Sequence, residues 1–266
     1  MNNDLDIIVK KFPMDFEALH VYAIGDVHVG SEEYDEKSVL KKIDIIKNDP
    51  YGVVCICGDL GDFGLRNSKT NVYRATMQPK EQKDYIYELF KPIAEKITAA
   101  VPGNHEERLM KEVGTCPLYD LCVLWGIPDV YRENLAITKY IFGKGKGKNT
   151  QHNFVGITTH GSTRSRHKKF IECFDGIDFA ISGHTHTPEY SPHGKLRVDR
   201  NKLVVTHAPY KELVVDANLK VGGYGLKKEY EIPTTPELQY LELIGYRETD
   251  GTRRLRRTIN YHTITI

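Results

Sequence analysis

Five short clusters in this chain set metal-competent side chains beside a glycine. They are Gly25-Asp26-Val27-His28, Gly58-Asp59-Leu60-Gly61-Asp62, Gly103-Asn104-His105-Glu106, Thr159-His160-Gly161 and Ser182-Gly183-His184-Thr185-His186. Their donors are carboxylate, imidazole and carboxamide oxygen, with no thiolate. That set suits manganese, iron, zinc or nickel at five- or six-coordinate sites, and no Cys-rich spacing of a structural zinc site accompanies it. Two such ions held ~3.5–4 Å apart by a shared carboxylate would activate a water between them and clamp the oxygens of a phosphoryl group during in-line attack. A histidine beside two cations would need a carboxylate neighbour to hold its ring and keep it partly charged near pH 7.

Side chains this far apart in sequence can meet only if the elements before them end together. His20 to Ile24 reads as a strand that stops at Gly25-Asp26. Gly52 to Cys57 is a continuous apolar run, as expected for a strand covered on both faces, and it stops at Gly58-Asp59. Thr98 to Val101, Asn153 to Thr159 and Ile177 to Ile181 are strand-like and precede the other three clusters. Ligands collect beyond strand ends in open α/β sheets, and glycines there let the chain turn close to an ion. Val39, Ile43 and Ile46 give Asp35 to Lys47 a helical period. Pro79 opens a second helix carrying Ile86, Leu89, Phe90, Ile93 and Ile97, which Pro92 should kink or end. Glu106 to Trp125 reads as two short helices parted near Gly114 and Pro117, and Ser165 to Phe174 as another. Gly64 to Gln78 reads as a loop over the site, Leu135 to Phe142 as a strand, and residues 143–149 as a flexible turn after it. Beyond Pro192 only strands are evident. Alternating strands and helices followed by a run of strands predict a layered α/β architecture with two sheets. No repeat or linker interrupts it, so residues 1–266 are expected to form one domain.

The chain has 266 residues, 40% hydrophobic and 27% charged, enough for a sizeable core. A net charge of +1 leaves any nucleic-acid contact to local clusters. No apolar run approaches the ~20 residues of a membrane span, and the acidic start lacks the features of a signal peptide. The five cysteines are an odd number, and Cys55 and Cys57 sit in an apolar run, so reduced, buried thiols are expected. A cytoplasmic protein without a membrane partner is the expectation.

In this order, the clusters resemble those of the calcineurin-like metallophosphoesterase superfamily, over a stretch from Asp26 to His186. The resemblance implies a four-layer α/β/β/α fold, a two-sheet sandwich flanked by helices. Matched by motif, Asp26, His28 and His186 resemble the ligands of one metal. Asn104, His160 and His184 resemble those of the other, and Asp59 resembles the bridge. It implies that His105 contacts the substrate phosphate and protonates the leaving oxygen, and that Asp62 orients His105. Two divalent ions are the implied cofactors, with manganese first and iron, zinc or nickel as alternatives. Protein Ser/Thr phosphatases of the superfamily usually place an arginine after the second acid, where this chain has Phe63. With cationic segments after the second and fourth clusters, this points toward a phosphodiesterase, including the nuclease branch. The expected partner is then a phosphate ester, either a nucleic acid or a small nucleotide diester. A phosphomonoesterase is the alternative enzyme, and a non-catalytic scaffold of the same fold is the alternative outside enzymes. The scaffold is disfavoured by the presence of His105 and every ligand position.

Around the motifs, Arg108, Arg164 and Arg166 are candidate substrate contacts, the last two in a basic run just after His160-Gly161. Arg66, Lys69, Tyr73 and Arg74 combine cations with an aromatic ring, as single-strand binders do, although a plain surface loop has the same composition. Arg253, Arg254, Arg256 and Arg257 read as an exposed strand face, and Glu106 and Glu107 as first-turn helix charges. His20, His152, His167, His193, His207 and His262 read as surface or core residues, with His207 the one that could line the site. The C-terminal strands could pair with a second copy, and no residue pattern fixes an oligomeric state.

Overall fold

The computed structural model describes residues 4–13, 15–66, 68, 72–143, 151–199, 201, 203–220, 236–247 and 255–266. Residues 144–149 of the expected flexible turn, Lys69, Arg253 and Arg254 lie outside them, and the Arg256 side chain is not described. One sheet has five strands in the order β11 (Leu255–Thr265), β10 (Glu237–Arg247), β2 (Ala18–Ile24), β3 (Gly52–Ile56) and β4 (Ile97–Ala100). Here β2, β3 and β4 run parallel, and β10 and β11 add antiparallel. The other sheet has six, in the order β1 (Ile8–Lys11), β5 (Leu135–Phe142), β6 (His152–Thr159), β7 (Phe179–Ser182), β9 (Val204–Val214) and β8 (Glu189–Asp199).

Side-chain alternation builds the layers. On β2, Leu19, Val21 and Ala23 face the first sheet's partner, as do Val53 and Cys55 on β3. They meet Tyr140, Phe142, Phe154, Phe179 and Ile181 from the six-stranded sheet in one buried cluster. The opposite side chains, Tyr22, Ile24, Val54 and Ile56, pack under the helices. Those are α1 (Glu36–Asn48), α2 (Pro79–Phe90), α3 (Asn104–Val113) and α4 (Pro117–Leu124). On the far side, Ile157, Ala180 and Tyr210 are covered by Ile171 of α5 (Arg164–Glu172). The result is the α/β/β/α sandwich, each large apolar side chain contributing ~1.5–3 kcal/mol on full burial.

Local chemistry sets the element ends. The Asp35 side chain accepts from Ser38 N at 3.3 Å to cap α1. At its other end Asp49 Oδ2 accepts from His20 Nδ1 at 2.7 Å and Tyr22 OH at 2.8 Å, tying helix to strand. Pro92 acts as expected: α2 stops at Phe90, and residues Lys91–Lys96 continue only as tighter 3-10 turns. The edge strand β1 is absent from the sequence reading, because only Ile8 of its four residues is buried. All five cysteines are free, and every one but Cys173 is buried. Among the described residues no helix is long and apolar enough to cross a membrane.

Candidate metal centre

The five clusters meet at one end of the sandwich, in the loops that follow β2, β3, β4, β6 and β7. Their backbone is unusual. Among the described non-glycine residues, seven have positive φ, and six of these are Asp26, His28, Asp59, Phe63, His184 and His186. Asp and His tolerate this left-handed region better than other side chains, yet each such residue costs roughly 1 kcal/mol or more. Strain of that kind persists where the surroundings impose it and gathers at functional sites.

One group of donors comes from Asp26, His28 and His186. His28 Nε2 and His186 Nε2 face each other at 3.2 Å, and Asp26 Oδ1 lies 3.4 Å from His186 Nε2 and 3.9 Å from His28 Nε2. Asp26 Oδ2 is occupied, accepting from His184 N at 2.8 Å, while Oδ1 is buried with no hydrogen-bond partner. A second group comes from Asn104, His160 and His184. Asn104 Oδ1 stands 2.9 Å from His184 Nδ1 and 3.1 Å from His160 Nε2, and those two nitrogens are 3.1 Å apart. The His160 Nδ1–H donates to the Cys57 carbonyl at 2.7 Å, which leaves the Nε2 lone pair turned into the group.

Asp59 stands between the two. Its Oδ1 accepts from His105 N at 2.8 Å, and its Oδ2 lies 3.4 Å from His160 Nε2 and 4.0 Å from His28 Nε2. A lone buried carboxylate oxygen and imidazole nitrogens facing one another are what a cation would satisfy, so the residues present fit a pair of divalent ions. Ionisation agrees in part. Burial, with the His105 and His186 charges, holds His28 well below the ordinary imidazole value, as a neutral ligand requires. Burial also lowers His184, helped by the His160 charge. Burial alone would raise Asp26, but the charges of His186, His160 and His28 hold it well below the usual carboxylate range. His160 and His186 move the other way: burial pulls them down, and the Asp59 and Asp26 charges outweigh it. A bound cation would displace that proton.

His105 opens α3 beside this pair. Its Nδ1–H donates to the Asp62 carbonyl oxygen at 2.7 Å, and Asp62 Oδ1 lies 3.3 Å away. Its Nε2 points toward Asp59 Oδ2 at 3.9 Å. Burial lowers the imidazole, but the Asp62 hydrogen bond and the Asp59 charge push it up to about 9, against the opposing Arg108 guanidinium.

Glu106 is a correction to the sequence reading. It is no surface charge on a first turn: it is 1% exposed. Its carboxylate accepts from the backbone N–H groups of Asp59, Leu60 and Gly103, each at 2.8 Å, and of Gly61 at 3.4 Å. It therefore knots the second cluster to the third. Asn218, on a segment the motifs do not touch, does the same for the first. Its N and Nδ2 donate to the carbonyls of Asp26 and Gly25, both at 2.9 Å. Its Oδ1 accepts from the buried Lys42 Nζ at 2.7 Å. Burial lowers that ammonium to about 8, partly offset by Asp216 and Asp35.

The arginines divide. Arg108 is close enough to act on the His105 ring, and Arg164 pairs with Glu189 at the foot of α5. Arg166 is exposed on α5. Arg74 pairs with Glu32 at the surface. His207 is exposed on β9, opposite Leu196 in the far half of the β8–β9 hairpin, away from the centre.

A family model described as calcineurin-like phosphoesterase matches residues 19–188, more than half of the chain. Among curated proteins none matches. Among solved structures, the crystal structure of Chaetomium thermophilum Vps29 is similar at 9% identity and a TM-score of 0.38, covering 93% of this chain and 98% of that one.

Proposed function

This chain belongs to the calcineurin-like phosphoesterase family, and from that premise we propose that it hydrolyses phosphate diesters with two divalent ions, manganese foremost. Iron, zinc and nickel share the same donor preference. Asp26, His28 and His186 would hold one ion and Asn104, His160 and His184 the other, with Asp59 serving both. The observation that carries the reading is Asp59 Oδ2, facing His28 of one group and His160 of the other. When bound, the ions supply a nucleophilic water at neutral pH and Lewis-acid stabilisation of the phosphoryl oxygens.

The chain's own residues supply the rest. His105 keeps its Nδ1–H on the Asp62 carbonyl, which presents Nε2–H to the leaving oxygen. The proton passes to that oxygen as the P–O ester bond breaks. Phe63 follows the second acid, where protein phosphatases of the family usually carry an arginine to grip a dianion, and its ring is buried in the helix-side core. Its place supports a diester, which carries one charge fewer than a monoester.

The test is turnover of bis-p-nitrophenyl phosphate against p-nitrophenyl phosphate by the manganese-loaded protein. Faster diester hydrolysis is expected. Faster monoester hydrolysis overturns the substrate preference, and no turnover of either with metal bound overturns the enzyme.

A further inference from the structure

The hairpin of β8 and β9 runs on past the rest of its sheet. β9 pairs with β7 over Lys211–Val214 alone, whereas its ladder with β8 continues to Val204 and Asp199. From His193 and Tyr210 outward the two strands have only each other in the sheet, and they form an arm.

Alternation gives this arm two different faces. One carries His193, Lys195 and Arg197 and is tied to the end of α5. There Lys195 Nζ donates to the carbonyls of Glu172 and of Phe174, the latter at 2.8 Å, and Arg197 Nη2 pairs with Asp175 Oδ1 at 2.6 Å. The other face continues the one on which Tyr190 and Leu213, cross-strand partners, join the core between the two sheets. Farther out it carries Gly194 opposite Pro209, Leu196 opposite His207 and Val198 opposite Val205. Here it stays open to water: Leu196 is 76%, Val198 67% and Val205 60% exposed.

An apolar face of core type, on an arm whose polar face is already held, calls for a flat apolar partner. A second copy of the chain supplies one by symmetry. A two-fold axis between two arms lays each Leu196, Val198 and Val205 face on the other at the ~10 Å spacing of packed sheets. The arm extends the six-stranded layer, so each arm then continues the partner's five-stranded layer. Outward of Lys211 this face bears no Lys, Arg, Asp or Glu, so the two copies meet without opposed like charges. A fully exposed Val or Leu side chain offers roughly 60–120 Å² of apolar surface. With Leu203 at the turn, 88% exposed, each arm therefore offers roughly 170–350 Å². One side of a standard interface has ~450 Å² of apolar surface. The arms suffice for a weak, exchanging dimer with a Kd in the micromolar range and not for an obligate one.

We propose that the outer half of the β8–β9 hairpin is a dimerisation arm, and that its partner is the same arm of a second copy of this chain.

Sedimentation velocity on the whole chain, from about 1 to about 500 µM, should show the mean mass rising from that of one chain toward that of two. Val198→Asp puts a carboxylate on the shared face and should weaken association about tenfold or more. Its melting temperature should stay near wild type, because the side chain is exposed. Val205→Lys should act alike, and an equimolar mixture of the two variants should regain the dimer as opposite charges meet. That rescue would rule out misfolding as the cause of either loss. The mass of one chain at every concentration, or a dimer that both variants leave intact, overturns the proposal. A monomer that instead cosediments with anionic lipid vesicles also overturns it and assigns the face to a membrane surface.

Discussion

His105 carries two opposed demands. As the proposed acid it must hold a proton long enough to give it to a leaving oxygen, yet it lies beside the groups proposed to gather two cations. Asp62 and Asp59 outweigh burial and raise its pKa to about 9, and cations held by Asp59 would pull it back. Activity toward a diester with a poor leaving group should therefore fall as pH rises from about 6.5 toward 9, because the protonated form is the competent one. His105→Gln should slow that substrate by roughly 10²–10⁴-fold and erase the alkaline limb. A p-nitrophenolate leaving group, which departs without help, should lose much less. An unchanged pH profile in the variant would remove the acid role. Glu106 has a different task, since it touches only backbone N–H groups. Glu106→Gln would turn an amide N–H₂ toward at least one of those donors. Leaving a buried donor unmet costs ~1–3 kcal/mol, or a Tm roughly 2–10 °C lower, and metal binding should weaken as the Asp59 loop loosens. A melting curve and a manganese titration matching wild type would show that the knot is dispensable.

At the scale of elements, the question is how five loops bring their side chains so close. Two glycines answer it. A Cβ on Gly103 would sit 2.1 Å from Asp59 Oδ1, and one on Gly183 would sit 2.5 Å from Asp26 Oδ2. The methyl of Gly183→Ala therefore meets the Asp26 oxygen that accepts from His184 N, a contact that joins the two ion groups. Calorimetric titration with manganese should show both sites weakened, by about 10–100-fold where Asp26 is a ligand. Wild-type affinity at both sites would contradict so close an approach of these loops around the ions. These loops were legible in the sequence, because glycine next to Asp, Asn or His after an apolar run has few other physical reasons to recur. Glu106 was not legible, since an acid in a helix's first turn is ordinary and only packing reveals that no solvent reaches it. Asn218 was also hidden: it lies between strands, far from every motif, and acts through its own backbone and amide.

Across the whole molecule, the candidate ligands come from both sheets. Asp26, His28, Asp59 and Asn104 follow strands of the five-stranded sheet, while His160, His184 and His186 follow strands of the six-stranded one. The layered α/β order was readable because buried parallel strands such as β3 are apolar throughout. The pairing order was not, because neither β1 nor the antiparallel additions β10 and β11 carry a local signal of their neighbours. That architecture has a thermodynamic consequence. Ions shared by the two sheets would bind the folded sandwich and not the separated chain, so binding would add to stability as RT ln(1 + [L]/Kd), or ~2.7 kcal/mol at a hundredfold excess over Kd. For a chain of this size that is a Tm roughly 5–10 °C higher with manganese than after chelation. Asp59→Asn removes the carboxylate charge that both groups share, so its melting temperature should respond little to manganese. If the variant gained as much as wild type, ion binding would not depend on Asp59, and the link between the sheets would lie elsewhere.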